Sequence, residues 1–476
     1  MIYRVAHREL RETVRDGRFR WSVSIILLLI LVSFISGRDY LRTAAQHEAI
    51  VQTAERERWL DKGEMNPHSA AHYGQYLFKP RLPIESVDPG ISPYSGISIL
   101  VEPHVQNLAR YKPAAETTTG GRAGRVTVAM TLQILVPLLI VLSLFSTFTS
   151  EREQGTLRLL LSLPVSPRRL AIGKVLGAAV PWLLCLVPAS VLGAAVLIRS
   201  DAALPASDIA LRTALFATVY LLYFLLTILV AVTVSALSGR SRTALACLLA
   251  FWFMTGILAP PLAMDFATAK YPVPNGFEFQ AAIARDRAEL PSLVTRIFEV
   301  EERMLEDYGV SSTRDLPLVP SGVALMEDEA DNTRIHERHF TRLYDTYEDQ
   351  NRLFSLLGLT SPLLAVQSLS MGLAGTDFAH QRHFAEAAEQ YRRDFVRILN
   401  EDDARNGRMY DARQAVGGDL YLAGRDLWKR VPEFTYRPPT VGWTVDRHRV
   451  SIAILLSWLM VVSGFLWAAL GRVRAS

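Results

Sequence analysis

Apolar residues are gathered into long uncharged stretches that alternate with polar segments. A helix needs about 20 such residues to cross roughly 30 Å of hydrocarbon. One candidate, Trp21–Ser36, is shorter and would rely on flanking Phe19 and Leu41, on tilt or on local bilayer thinning to span the membrane. The five full-length stretches are Val126–Phe148, Val175–Ile198, Thr213–Leu237, Thr243–Met264 and Val450–Leu470. The pattern predicts an all-α membrane protein with six transmembrane helices.

Two rows at helical spacing run along residues 1–20, one apolar and one basic. The apolar row is Ile2, Ala6, Leu10 and Val14, and the basic row is Arg4, Arg8, Arg11 and Arg15. Such a helix lies in the membrane interface with its cations towards lipid phosphates. The alternative is a solvated basic helix. We expect an interfacial elbow that leads into the first span.

Arginine and lysine in short loops mark the cytoplasmic side of a membrane protein. With six spans, all the basic segments fall on one side: residues 1–20, 149–174 and 238–242, and Arg472 with Arg474. This consistency favours Trp21–Ser36 as a span over a cleaved signal peptide, and it puts both termini in the cytoplasm. Residues 37–125 and 265–449 then form two extracytoplasmic insertions.

The two insertions differ in their patterns. The first starts with a helix over Tyr40–Leu60 and continues into a stretch rich in proline and glycine, which indicates loop and short strand. The second has apolar residues at three- and four-residue intervals over Leu293–Tyr308, Asn332–Leu353 and Asp377–Asn400. These intervals predict helices and a mainly helical fold for the second insertion.

Composition agrees with a chain divided between membrane and water. Half of the 476 residues are apolar and 21% are charged. The net charge of +4 gives no electrostatic footprint for nucleic acid. Cys185 and Cys247 both fall within spans, so no disulfide framework is predicted.

The spans contain no Asp, Glu, Lys, Arg or His within these limits. Ion-coupled carriers keep ionisable groups at mid-membrane, so secondary transport is disfavoured. The chain also lacks a phosphate loop, because Gly173-Lys174 is followed by Val175 and has Arg168 where the motif needs glycine. Transport energy would therefore come from a separate ATP-hydrolysing partner that binds ATP and Mg²⁺. We expect no cofactor and no catalytic residue in this chain.

Segment 149–174 joins the second and third spans. Thr149 or Ser150 can cap a helix with Glu151 and Glu153 in its first turn, where acids suit the helix dipole. The pattern turns Leu157, Leu160 and Leu161 towards lipid or neighbouring spans and leaves Glu153 and Arg158 in solvent. Gly155 allows close approach of another surface, Pro164 ends the helix, and Arg168, Arg169 and Lys174 lie at headgroup level. The alternative is an ordinary charged loop between two helices.

The segment resembles the ABC type-2 exporter permeases. The resemblance rests on Glu151-x-Glu153-x-Gly155-Thr156, Leu160-Leu161-Ser162-x-Pro164 and Gly173-Lys174. The resemblance implies a dimeric membrane domain, made with a second copy or a related permease. It also implies that each permease docks an ATPase subunit, and the coupling residues would be Glu151, Glu153, Gly155, Thr156, Leu160 and Pro164.

A bacterial subfamily with two large outer insertions is similar in further motifs, and its second insertion includes a domain of unknown function. The motifs are Leu316–Gly322, Leu373–Asp377, His383-Phe384, Glu389 and Tyr391-Arg392. The resemblance implies a multi-pass protein of the bacterial inner membrane. The insertions also offer surfaces for a periplasmic or outer-membrane partner.

Two other features invite a functional interpretation. His380, His383 and Glu386 share one helix face, and His336 and His339 another, but spacing alone favours packing or surface histidines over a metal site. Pro260-Pro261 predicts a break or re-entrant turn at the outer end of the fifth span.

The sequence as a whole predicts the membrane subunit of an ATP-driven exporter. The alternative is a membrane-anchored scaffold or binding protein whose helices hold its outer regions in place. A co-purifying ATPase would separate these two interpretations.

Overall fold

The computed structural model describes residues 2–115, 126–162, 166–200, 203–407 and 421–470. Within them, six helical stretches are long and apolar enough to cross a membrane. They are Phe19–Leu60, Val128–Glu153, Pro167–Ile198, Ala206–Leu237, Ser241–Lys270 and Arg449–Leu470. The six predicted spans are thus confirmed as helices of sufficient length.

The first 115 residues form several helices and one small antiparallel sheet, in which Gln75 faces Val101. They are α1 (Ile2–Arg15), α2 (Gly17–Leu60), α3 (Pro67–Ala71), β1 (Gln75–Phe78), α4 (Ser92–Ser95) and β2 (Ser98–Val101).

The middle of the chain supplies most of the spanning helices. They and their connecting helices are α5 (Val136–Leu144), α6 (Thr149–Glu153), α7 (Thr156–Ser162), α8 (Pro167–Ile198), α9 (Ala206–Leu237), α10 (Ser241–Phe253) and α11 (Ala259–Lys270).

The remaining helices belong to the second insertion, except for the last, which is a span. They are α12 (Gly276–Ala288), α13 (Leu293–Tyr308), α14 (Pro320–Leu356), α15 (Pro362–Ala374), α16 (Phe378–Asn406), α17 (Arg425–Arg430), α18 (Val441–Arg447) and α19 (Arg449–Leu470).

The first span and the predicted Tyr40–Leu60 helix are one continuous helix, α2. The expected change from span to insertion at residue 37 thus falls within a continuous helix. No proline interrupts the 44 residues of α2, so polar sequence after Ser36 continues the same hydrogen-bonding ladder. The helix leads directly from the spanning bundle into the first insertion.

Two spans contain π-helical turns, over Thr131–Leu135 and Met254–Leu258. They pack against each other, and Trp252 Nε1 donates to the Ile134 carbonyl at 3.0 Å. The expected break at Pro260-Pro261 is wrong, because α11 begins at Ala259 and runs through both prolines. The prolines follow the π-turn directly, and such a local adjustment lets a spanning helix continue past prolines.

The two insertions share one hydrophobic core, and we call residues 59–115, 271–361, 375–407 and 421–440 together the insertion unit. Trp59 of the first insertion packs edge-on against Phe395 and Trp428 of the second. Its indole Nε1 also donates to the Trp428 carbonyl at 3.0 Å. The insertions are therefore parts of one folded body, although the sequence separates them by four spans.

Helix α15 leaves the insertion unit and packs among the spans. Its Leu363, Val366 and Leu369 join the core of the spanning bundle, and the helix contacts α9 and α19. Helix α15 therefore belongs to the second insertion by sequence but packs with the spanning helices. Its 13 residues are buried on nearly every side, and they are too few to cross a bilayer.

Candidate functional site

Segment 149–174 folds as two short helices, α6 and α7, separated at Gly155. Gly155 has a φ of +73°, a left-handed conformation that glycine adopts without steric cost. The prediction of one helix capped by Thr149 or Ser150 is wrong. Both hydroxyls instead donate to carbonyls four residues earlier, those of Phe145 and Ser146. The space around Gly155 is open, so its backbone angle, rather than a close contact, accounts for glycine here.

A buried ion-pair cluster fixes the start of this segment. Lys174 Nζ lies 3.0 Å from Glu151 Oε1 and 2.7 Å from Glu9 Oε1, and it also donates to the Thr147 carbonyl at 3.0 Å. Burial raises the pKa of Glu9, and the charge of Lys174 offsets part of this rise. The cluster joins α1, α6 and α8.

Lys174 therefore differs from its expected position at headgroup level, because only 2% of its side chain is exposed. Glu151 is buried too, so neither residue is available to a partner. An isolated charge is too costly to bury, and each group is here compensated by an opposite charge. Lys174 and Glu151 therefore hold the segment in place from inside the protein.

Helix α1 packs along the first turns of α8 at glycine positions. A Cβ at Gly173 would lie 2.7 Å from the Val5 Cβ, and one at Gly177 would lie 2.5 Å from the Glu9 Cβ. Only glycine allows this approach. The four basic residues of α1 remain exposed, in agreement with an outward-facing cationic row: Arg4, Arg8, Arg11 and Arg15.

Two neighbouring side chains tie α6 to the loop between α9 and α10. Arg152 donates to the Ala236 carbonyl at 3.0 Å and to the Ser238 carbonyl. Glu153 accepts from the backbone N–H and the hydroxyl of Ser241, at 2.8 and 2.9 Å. Glu153 thus caps the N-terminus of α10, where a carboxylate is favoured by the helix dipole.

Residues 153–159 form a largely exposed tip, which begins at the attached Glu153. Glu153, Gly155, Thr156 and Arg158 are exposed, and 70% of Leu159 is accessible. Leu157 is buried in the bundle core and Leu160 is half-buried, which agrees with the expected inward direction of these leucines. The exposed tip is therefore held to the bundle by the contacts of Glu151, Arg152 and Glu153.

The rest of segment 149–174 returns to the bundle through α8. Arg168 and Arg169 are exposed as expected, and the Arg168 guanidinium lies 4.2 Å from the Trp467 ring of α19. Pro164 lies outside the described residues, as do Arg472 and Arg474. The N-terminal helix, segment 149–174, the 238–241 loop and the end of α19 thus meet at one end of the bundle, which we call the segment end.

At the other end, α9 is tied to the insertion unit by Arg212, whose side chain is fully buried. The guanidinium donates to the carbonyls of Leu373 and Pro439, at 3.2 and 2.6 Å. Its charge is balanced by Asp208 Oδ1 at 2.6 Å. This pair lies just outside the Thr213–Leu237 limits set from sequence, and both partners are occupied structurally.

The histidines singled out by spacing do not converge. His380 Nδ1 contacts Asp377 Oδ1 at 2.5 Å, and His383 Nδ1 contacts the Tyr436 hydroxyl at 2.9 Å. His336 contacts the Asn332 carbonyl, and His339 contacts Asp286. The packing interpretation of these residues agrees with the structure.

A different trio was missed by the sequence interpretation. His68, His72 and His104 place one ring nitrogen each within 4.8 Å of the others. The His68-x-x-x-His72 spacing after Pro67 was a signal for the first two. His104 lies 32 residues further on, and nothing in the sequence pattern pairs it with them.

Comparisons with known families agree with this arrangement. Residues 102–269, which include segment 149–174 and four spans, match the family described as ABC-2 family transporter protein. Residues 294–437 match a domain of unknown function, DUF3526. No curated protein matches the chain. The chain is a multi-pass membrane protein that contains an ABC-2 family transporter domain, as ABC type-2 permeases do, followed by a domain of unknown function.

Proposed function

We propose that this chain is the permease subunit of an ATP-driven exporter in the bacterial inner membrane. It would pair with a second permease copy or a related permease, and each would dock a separate ATPase subunit that binds ATP and Mg²⁺. The observation that carries the proposal is the exposed tip, residues 153–159, whose base is attached to four helices. A membrane family that works with an ATPase subunit needs such a contact.

The attachments give a route for movement from the tip into the bundle. Glu153 connects it to α10 through Ser241, and Arg152 connects it to the end of α9. The Glu151–Lys174–Glu9 cluster connects it to α1 and α8. A push on the tip would therefore be shared among these helices instead of bending one loop.

The tip also has the chemistry of a docking surface. Its exposed side chains include an acidic one, Glu153, a basic one, Arg158, and an apolar one, Leu159. Exposed apolar side chains next to charges are typical of the contact regions between protein subunits. We expect the ATPase to cover Leu159 and to pair with at least one of the charges.

The test is co-purification with an ATPase subunit co-expressed from the same genome. The tagged chain is extracted in mild detergent as wild type and as Leu159→Glu. The matched control is Leu422→Glu, because Leu422 is similarly exposed but belongs to the insertion unit. We expect the ATPase to co-purify with wild type and control and to be lost with Leu159→Glu.

Coupling is tested at Glu153, whose side chain both carries a negative charge and accepts hydrogen bonds from Ser241. Glu153→Gln keeps an oxygen that can accept from Ser241, whereas Glu153→Lys reverses the charge and removes this acceptor. The readout is ATP-dependent labelling of a single cysteine at Thr440, with Cys185 and Cys247 replaced by alanine. We expect Glu153→Lys to insert normally, to hydrolyse ATP with its partner, and to lose the ATP-dependent change in labelling.

Two outcomes would contradict the exporter proposal. If no ATPase subunit co-purifies with the wild-type chain, the scaffold alternative gains support. If Glu153→Lys retains the full ATP-dependent labelling change, the tip is not the coupling contact.

A further inference from the structure

The insertion unit contains a cluster of three histidines, with one ring nitrogen of each within 4.8 Å of the others. His68 Nε2 lies 3.2 Å from His72 Nε2 and 3.4 Å from His104 Nε2. Zinc binds imidazole nitrogen at about 2.0–2.1 Å, and two such ligands in a tetrahedral site are about 3.3 Å apart. The observed separations are therefore those of a coordination site.

Hydrogen bonds among the rings do not account for this arrangement. His68 Nδ1 lies 3.0 Å from the Asn400 side-chain oxygen, and in the tautomer that donates this hydrogen bond Nε2 keeps a free lone pair. That single lone pair faces two other Nε2 atoms and can accept from only one of them. A cation between the three nitrogens satisfies all of them.

The surroundings hold two of the rings in the orientation that metal binding needs. His104 Nδ1 lies 3.1 Å from Asp328 Oδ2 and 3.3 Å from Glu329 Oε2, ion-pair distances on the side of the ring opposite the shared centre. Metal-bound histidines usually direct their second nitrogen at a carboxylate or a carbonyl group. Asn400 has this role for His68, and Asp328 and Glu329 lie within ion-pair distance of the second nitrogen of His104.

The backbone at His104 is in a conformation that histidine rarely adopts. Its φ is +62°, in a turn where Pro103 precedes it and where glycine or asparagine is usual. The His104 N–H donates to Glu329 Oε2 at 2.7 Å, which holds the turn in place. Backbone strain of this kind concentrates at functional sites.

We propose that His68, His72 and His104 bind a divalent transition-metal ion, with Zn²⁺ as the ion that best fits three imidazoles at these distances. The ring of His72 is exposed, so the fourth position opens to solvent and would hold water or an exchangeable ligand. The histidines come from the first insertion, whereas Asn400, Asp328 and Glu329 come from the second. Metal binding would therefore brace the contact between the two insertions, and it does not depend on the exporter proposal.

The test uses the full chain purified in detergent through a tag without histidines. The protein is stripped with EDTA and equilibrated with Zn²⁺, the bound metal is counted by mass spectrometry, and affinity is measured against a fluorescent chelator. The variants are His72→Ala, which changes an exposed side chain, and Asp328→Asn, which leaves all three ligands in place. The control is His339→Gln, a histidine of the same unit outside the cluster.

We expect one Zn²⁺ per chain in wild type and control, and loss of that ion in His72→Ala. Asp328→Asn should keep the ion with about 10–100-fold weaker affinity. Co²⁺ should give the visible d–d bands of a four-coordinate site in wild type, and they should be absent in His72→Ala. Equal metal content in wild type and His72→Ala would overturn the site, and binding of Ni²⁺ or Cu²⁺ without Zn²⁺ would overturn the choice of ion.

Discussion

At the scale of single residues, the charges of segment 149–174 divide into a buried set and an exposed set. Glu151 and Lys174 lie inside and hold the segment to α1 and α8. Glu153 and Arg158 lie outside, where a partner can reach them. The motif therefore contains residues of two kinds, and only the exposed ones are candidates for direct contact with an ATPase.

Breaking the Glu151–Lys174–Glu9 cluster should destabilise the protein. Lys174→Met removes the cation that contacts both the buried Glu151 and the half-buried Glu9, and such an uncompensated charge costs about 3–5 kcal/mol. We expect a clear fall in the thermal unfolding midpoint of the purified protein. Arg169→Met, which changes an exposed neighbour on the same helix, should leave the midpoint nearly unchanged.

Neutralising the two carboxylates should restore the stability that Lys174→Met loses. Adding Glu9→Gln and Glu151→Gln to Lys174→Met removes the unpaired charges, so most of the lost stability should return. A Lys174→Met protein with the wild-type midpoint would show that the cluster does not hold the segment.

At the scale of elements, the geometry of the tip depends on one left-handed residue. Gly155→Ala meets no neighbouring atom, so its cost is backbone strain alone, about 1–2 kcal/mol. We expect α7 to be displaced and the ATPase contact to weaken, with co-purification yield as the measurement. Gly193→Ala is the control, since Gly193 is helical with open space around it and alanine there should be neutral or stabilising.

Gly155→Asn makes the prediction more specific. Asparagine accepts the left-handed region better than alanine does, so it should recover part of the ATPase binding. If alanine and asparagine weaken binding equally, the lost feature is something other than the backbone angle.

The two π-helical turns are features of single helices that the sequence pattern did not reveal. Sequence periodicity identified both spans but not the turns, because a π-turn adds one residue without changing apolar character. The turns bring Trp252 to the Ile134 carbonyl. The prolines after Met254–Leu258 were visible in the sequence, yet they indicated a break where the helix continues.

At the scale of the whole molecule, α9 links the two ends of the bundle. Its 32 residues make it about 48 Å long at 1.5 Å per residue. Arg152 holds its last turn at the segment end, and Arg212 holds its start against the insertion unit. Movement of the tip can therefore reach the insertions through one rigid element.

This link can be tested with Arg212→Lys. Lysine keeps the positive charge beside Asp208, but it lacks the planar fork that reaches Leu373 and Pro439 together. Losing hydrogen bonds to a charged group costs about 1.5–3 kcal/mol, so the unfolding midpoint should fall. The ATP-dependent labelling at Thr440 should also be reduced.

Arg437→Lys is the matched control, because Arg437 is exposed two residues before Pro439. It should retain both stability and labelling. An Arg212→Lys protein that unfolds earlier but keeps the full labelling change would make Arg212 a stabilising residue without a part in transmission.

The sequence by itself determined the spans, the amphipathic first helix and most insertion helices, because burial in lipid or in a helical core leaves a local periodic signal. It also identified segment 149–174 and the family. Only the tertiary structure decided which charges of that segment are buried, that the two insertions share a core, and that α15 packs among the spans. These features depend on contacts between residues such as Glu9 and Lys174, or His68 and His104, and no local pattern records pairings across long sequence separations.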